Sequence, residues 1–292
     1  MFRKPAWVVV GGLILVGLAA AAVLAPWLAP HDPLAVHLPE ALLPPSATHP
    51  LGTDVLGRDV LSRLLYGSRV SLVVGGLSVA ISVIVGTLVG AVAGFFGGWL
   101  DATLMRVVDT LLSIPTIFLL LALIAMDPAE RLLQMGTLPL VGGLVAAVFK
   151  LVDPQLVVVM GTIGLMSWMG LARLVRAEIL SLKEREYVLA ARAMGASPLR
   201  LLRVHLLPNA LGPIVVSATL GIGSAILTES LLSYLGLGVQ PPTPSWGSML
   251  NDGRMAMGVA WWLTLSPGLC LFVTVLAFNL VGEGLRERFS GS

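Results

Sequence analysis

Side chains able to do chemistry are sparse in this 292-residue chain, and their spacing excludes most of what they could do. The four histidines, His31, His37, His49 and His205, include no HExxH pair, the spacing that puts two zinc ligands on one helix face. None lies in a long apolar run where a proton relay would need it. The spacing therefore assigns no metal site. The single cysteine, Cys270, cannot close an intramolecular disulfide and sits in an apolar run, where a thiol acts as a small hydrophobe. None of the three lysines, Lys4, Lys150 and Lys183, follows a glycine, so the phosphate cradle GxxxxGK[ST] is missing and ATP is not hydrolysed here by that route. A GxSxG nucleophile elbow is missing too. No catalytic residue is expected.

What remains is a set of charges near long apolar stretches: Asp101, Arg106, Asp109 and Glu229. Arg106 and Asp109 have the i,i+3 spacing of a helical ion pair. Glu229 falls near the outer end of an apolar run, where it faces either a pathway or the headgroups, and a carboxylate at that depth is a functional candidate.

The elements that must position these groups are membrane spans. Hydrophobic residues make up 57% of the chain and charged ones 12%, against about 45–50% and about 25% in soluble domains, and the mean hydropathy is +0.93. A soluble globule and a singly anchored domain are both excluded, and a net charge of +2 gives no reason to expect nucleic acid. Seven stretches approach the roughly 20 apolar residues a span needs: 5–30, 70–100, 110–126, 132–149, 154–172, 206–228 and 255–282. An alternating strand pattern is missing, so all read as helices.

Seven crossings would put Arg3 and Lys4 opposite the loop that carries Arg173, Arg176, Lys183, Arg185, Arg192, Arg200 and Arg203, against the positive-inside tendency. Six crossings bring both termini and that loop to the cytoplasm. The weakest stretch is 132–149, broken by Gly136, Pro139 and Gly142-Gly143, which reads as an external hairpin or re-entrant segment; the alternative is that 110–126 fails to cross. Within 70–100, Gly86, Gly90, Gly94 and Gly98 line one helix face, as either internal packing or a pore-side or subunit contact.

The basic loop has an internal design. Residues 186–193 can form two helical turns kept slim by Ala190, Ala191 and Ala193; Gly195 permits a sharp turn, and Ser197-Pro198 reads as an N-cap and first helical residue. A second short helix presents Leu199 and Leu202 to an apolar partner and ends at Pro208. The stretch from Glu184 to Ala210 resembles the coupling-loop signature of ABC importer permeases: EAA, three residues, a glycine and a later proline. The matches are Ala190, Ala191, Gly195 and Pro208, with Leu189 in the place of the glutamate. The segments 49–72, 232–250 and 276–289 resemble the dipeptide, oligopeptide and nickel branch of that family.

The resemblance implies an all-α membrane protein with the six-helix permease fold. Residues 1–69 would hold the first span and an external amphipathic segment, and 70–292 the permease domain with its coupling loop at about 173–208. It implies that Tyr187, Ala190, Ala191, Gly195, Ala196 and Pro208 couple the chain to an ATPase. Implied partners are a second homologous permease, two ABC ATPase subunits, an extracytoplasmic solute-binding protein and membrane lipid. ATP and magnesium would sit on the ATPases, and this chain would bind no cofactor. The cargo would be di- or oligopeptides, with nickel complexes or oligosaccharides as alternatives. A self-contained channel or secondary transporter is the reading from another class, and it would need intramembrane ion sites that the spans scarcely offer.

Two external features follow from residue physics. In 54–66, apolar Val55, Leu56, Val60, Leu61, Leu64 and Leu65 interleave with charged residues, the pattern of an amphipathic surface helix. Asp54, Arg58 and Asp59 would then face either a binding protein or the membrane surface. The loop Gln240–Gly247 is stiffened by three prolines and places Trp246 at the interface, as a gate wall or strut.

Overall fold

The computed structural model describes residues 6–125 and 154–290, and every regular element in them is helical. The expected hairpin at 132–149 lies outside the described residues. In chain order the helices are α1 (Ala6–Val23), α2 (Ala25–Leu28), α3 (Val60–Phe96), α4 (Gly98–Leu112), α5 (Thr116–Ala125), α6 (Pro154–Leu182), α7 (Glu186–Ala193), α8 (Pro198–Tyr234), α9 (Trp246–Arg254) and α10 (Trp262–Ser290). Five of them, α1, α3, α6, α8 and α10, are long and apolar enough to cross a bilayer, and α4 with α5 makes a sixth if the bent pair counts as one crossing.

That sixth element departs from the straight span expected at 110–126. α4 and α5 meet at 84° around Ser113, Ile114 and Pro115, because proline has no N–H to carry the helix forward and disfavours helical geometry in the residue before it. Asp101, Arg106 and Asp109 all lie on α4. Asp109 pairs with Arg173 of α6 instead of Arg106, and Arg176 grips Asp101, with Nη2 at 2.6 Å from Oδ2.

The centre of the fold is the seam between α3 and α6. A Cβ on Gly86 would stand 2.9 Å from the Trp168 carbonyl oxygen and from Leu171 Cβ; one on Gly94 would stand 2.9 Å from the Arg176 carbonyl oxygen and Ile179 Cβ. Gly90 lies against Ala172 and Val175, and Gly164 answers from α6 by seating on Ser78 and Ile81. The glycine stripe is therefore internal packing, the arrangement by which helices in lipid approach closely without a hydrophobic drive. Gly98 is not part of it: α3 ends at Phe96, and Gly97 and Gly98 take φ of +67° and +59° to turn the chain into α4.

α3 has 37 residues, about 55 Å at about 1.5 Å per residue, well beyond a hydrocarbon core of roughly 30 Å. Its first turns stand outside the apolar zone, and there the sequence reading needs correction. No separate amphipathic helix covers 54–66. Residues 53–59 form a turn closed by a Thr53–Asp59 bridge; Asp54 Oδ1 accepts from Leu56 N (2.8 Å) and Arg58 N (3.0 Å), and Gly57 has φ +73°. Asp54 offers the backbone a local alternative to helix, and Asp59 starts α3 by accepting from Ser62 N at 2.8 Å.

Candidate functional site

The basic segment after α6 folds into a rigid projection. α7 ends in a two-bond C-cap: Gly195 N–H donates to Arg192 O and Ala196 N–H to Ala191 O, both at 3.0 Å, with Gly195 at φ +82°. This closure satisfies carbonyls left open at a helix end and requires a left-handed residue, which glycine supplies without strain. A Cβ on Gly195 would meet no atom within 4 Å, so backbone conformation, not space, demands glycine there. Ser197 then caps α8, its hydroxyl accepting from Arg200 N at 3.4 Å, with Pro198 as the first helical residue.

Pro208 does not close a short second helix, as the sequence suggested. α8 runs on through it into the long span, because the hydrogen bonding widens to π-type turns over Leu201–Leu206, relieving the clash of a proline ring with the preceding turn. Leu202 is half-buried, while Leu199 is 55% exposed. Beneath the projection, Val188 and Ala191 pack with Leu201, Leu206, Ala210 and Ile214 against Leu171, Val175 and Ile179 of α6 and Ala91 of α3. Above it, Tyr187 (43% exposed), Met194 (82%) and Leu199 form an apolar surface flanked by exposed Arg185, Arg192 and Arg200. Ala190 and Gly195 are exposed within it, Ala196 is half-buried, and Pro208 is exposed at its edge.

Glu229 is neither at the headgroups nor on an open surface. It is wholly buried on α8, where Ser233 Oγ donates to Oε1 at 2.7 Å, and the hydroxyls of Ser71 and Ser230 stand 3.4 Å from Oε2. Ser71 Oγ and Ser233 Oγ in turn accept from the N–H groups of Trp246 (3.3 Å) and Val239 (2.9 Å). The carboxylate thus anchors the proline-rich loop to α3 and α8. Trp246 is buried in the same closure and donates from Nε1 to Leu64 O at 3.2 Å, so it is not the interface anchor expected; Ser245 and Ser248 form a reciprocal cap that begins α9 there. A separate groove of about 250 Å³ lies between α3, α6 and α8, lined by Ser82, Ser167, Ser217, Ser224 and Thr228 with Gly170 and Gly221.

Asp54, Arg58 and Asp59 are also buried, not presented on a surface. Arg58 Nε donates to Asp54 Oδ2 at 2.7 Å; Arg58 and Arg63 both reach Asp252 of α9, at 3.1 and 2.9 Å, and Arg63 Nε lies 3.4 Å from Asp54. Burial pushes the Asp252 carboxyl up in pKa, although both guanidiniums pull it down. Asp59 takes His49 Nδ1 at 2.9 Å and Ser62 Oγ at 2.7 Å. Asp252 is 189 residues from Arg63, a separation at which no local spacing rule could have announced the pair.

Among the described residues, an all-helical bundle with five helices, or six with the bent pair, long and apolar enough to cross a bilayer, and with a basic projection beside them, defines a polytopic membrane component. The family model for the binding-protein-dependent transport system inner membrane component matches residues 86–291, and that for the N-terminal TM domain of oligopeptide transport permease C matches 1–45. The dipeptide transport system permease protein DppC of Bacillus subtilis (strain 168) is 37% identical over 98% of this chain and 82% of its own length. For the protein of the same name from Escherichia coli (strain K12) the figures are 41%, 98% and 89%. The di/tripeptide transport system permease protein DppC of Pseudomonas aeruginosa (strain UCBPP-PA14) is 40% identical, over 95% and 86%. The chain belongs to the family of binding-protein-dependent transport system inner membrane components, and it is a multi-pass permease subunit of the ABC class.

Proposed function

We propose that this chain forms half of the pathway of an importer for di- and oligopeptides, driven by ATP hydrolysis on two partner ATPase subunits that hold the nucleotide and magnesium. A second homologous permease supplies the other half, and an extracytoplasmic binding protein delivers the cargo. Both termini and the basic projection face the cytoplasm, in accord with the positive-inside tendency. The names of the relatives support the cargo.

The observation that carries the coupling role is the seating of α7. Its inner face, Val188 and Ala191, is locked into α3, α6 and α8, while Tyr187, Met194 and Leu199 project. An ATPase that moves this knob moves three spans as one body, which is what rigid-body alternating access requires. Tyr187, Ala190, Ala191, Gly195, Ala196 and Pro208 build or support the knob. Glu229 holds the outer loop rather than touching cargo, and the groove along α3, α6 and α8 is the better candidate for pathway wall: its small, neutral lining, with Ser167, Ser224 and Thr228 already donating to their own helices, lets a peptide pass without trapping it.

The test is reconstitution with the two ATPases, the second permease and the binding protein. The wild-type complex should take up dipeptide as ATP is hydrolysed to ADP and phosphate, whereas Met194→Asp with Leu199→Asp should insert normally yet fail to hold the ATPases. Retention of the ATPases by that variant would refute the coupling role; uptake of an oligosaccharide or nickel complex in place of peptide would refute the cargo.

A further inference from the structure

Between α2 and α3 the chain forms an outer strap, and it returns to the start of α3 through three side chains: His31, His49 and Asp59. One ligand atom from each lies within 4.8 Å of the other two. His49 Nδ1 stands 2.9 Å and His31 Nδ1 3.8 Å from Asp59 Oδ1, and the two rings stack with centroids 4.6 Å apart. Ligands bound to tetrahedral zinc at about 2.0–2.1 Å stand about 3.3–3.4 Å apart, a spacing that these two distances straddle. We propose that His31, His49 and Asp59 form a binding site for a divalent transition metal of the zinc type, clasping the strap to the N-terminus of α3.

Groups behind the ligands suit the same chemistry. Asp59 Oδ2, the oxygen turned away from the imidazoles, accepts from Ser62 N (2.8 Å) and Ser62 Oγ (2.7 Å), which fixes the carboxylate and leaves Oδ1 for a cation. The other nitrogen of His49, Nε2, faces the Glu40 carboxylate at 3.7 Å, the carboxylate–histidine–metal order that sets which nitrogen binds. His31 is held at its backbone, its N–H donating to Ser62 Oγ at 3.1 Å. Two imidazoles and one carboxylate form a borderline donor set that favours zinc over magnesium or calcium. His49 and Asp59 are buried, but the His31 side chain is 42% exposed, so a metal can enter from solvent and the fourth position is left to water or a solute group.

This site lies at the opposite end of α3 from the residues that pack on the coupling projection, and its test does not depend on transport. Full-length chain prepared without a histidine tag and stripped with chelator is titrated with Zn2+ by calorimetry and with Co2+ by visible spectroscopy, in lipid nanodiscs. One equivalent of each per chain is expected, with the intense bands of four-coordinate cobalt and a zinc-dependent rise in melting temperature. Because His31 is exposed, His31→Gln should fold normally and lose both signals; Glu40→Gln should weaken zinc about 10–100-fold, as loss of a supporting carboxylate does; His37→Gln should change neither. Failure of the wild-type chain to bind stoichiometrically, or equal binding by His31→Gln, would overturn the assignment and leave the cluster a hydrogen-bonded clasp.

Discussion

Where α3 begins, Asp54, Arg58, Asp59 and Arg63 are all buried, the first two and Arg63 paired through Asp54 and Asp252 and Asp59 paired with His49, whereas around α7 Arg185, Arg192, Arg200 and Arg203 all stand in solvent beside exposed Tyr187, Met194 and Leu199. The first end is closed on itself: its charges have intramolecular partners, and the proline-rich loop is bonded down over it through Glu229 and Trp246. The second end is finished in backbone, by the Gly195 cap and the Ser197 cap, and left open in side chains. Buried, paired charge fixes a shape; exposed apolar surface on a locked base invites a partner. Substitutions at the outer end should therefore act through stability, and those at the coupling end through transport with stability nearly intact.

The strongest test of that contrast is Asp54→Ala. It removes the partner of Arg58 Nε, leaves both guanidiniums to Asp252, and deletes the acceptor for two backbone N–H groups of the turn. Breaking a buried ion network by deleting one member costs about 3–5 kcal/mol. The variant should melt well below wild type in nanodiscs, and it should be depleted from the membrane of cells that express it. Wild-type melting would mean that the network is solvated in the working protein and that the two ends do not differ as described.

Gly195→Val probes the other end, with a smaller effect on folding and a specific effect on function. At φ +82° a β-branched residue carries about 1–3 kcal/mol of backbone strain, although the space around it is open. Relief comes by opening the C-cap and swinging α7 on its base. The expected result is normal insertion, with loss of transport and of the ATPase stimulation caused by loaded binding protein, measured on reconstituted complex and normalised to assembled permease. Undiminished coupling would make the projection a strut.

The same contrast explains what could be read from the chain before folding. The coupling end was legible because its determinants are local: Gly195, Ser197 and Pro198 act on neighbours within a few residues, and the structure shows the turn and the cap they specify. Pro208 misled because its effect is also local in sequence logic, yet a widened turn absorbed it. The outer end was misread for the converse reason. Charged and apolar residues alternate in 54–66 as on a surface helix, but the charges find Asp252 and His49 across the fold, and only a tertiary partner can tell a buried arginine from an exposed one. For Glu229 the distance from the end of an apolar run left a pathway and the headgroups both open; the serines that bury it come from α3 and α8 together, which no run length reveals. The glycine stripe stood between the two cases, with its period visible and its partner, α6, not.

Ser197→Ala should give the smallest effect that can still be measured. The cap hydrogen bond is 3.4 Å long and exposed, so its loss belongs at the low end of the range for N-caps, about 0.5–1 kcal/mol. Pro198 continues to preset the first turn, and Leu201 and Leu206 continue to hold it from below, so the helix persists. Transport should then fall only modestly, and Arg200→Gln, which removes an exposed charge and no packed atoms, should serve as the near-neutral reference. Ordering the three variants by coupling ratio separates two ideas of the projection. If shape transmits the stroke, the order is Gly195→Val, Ser197→Ala, Arg200→Gln; if surface charge does, Arg200→Gln moves to the front.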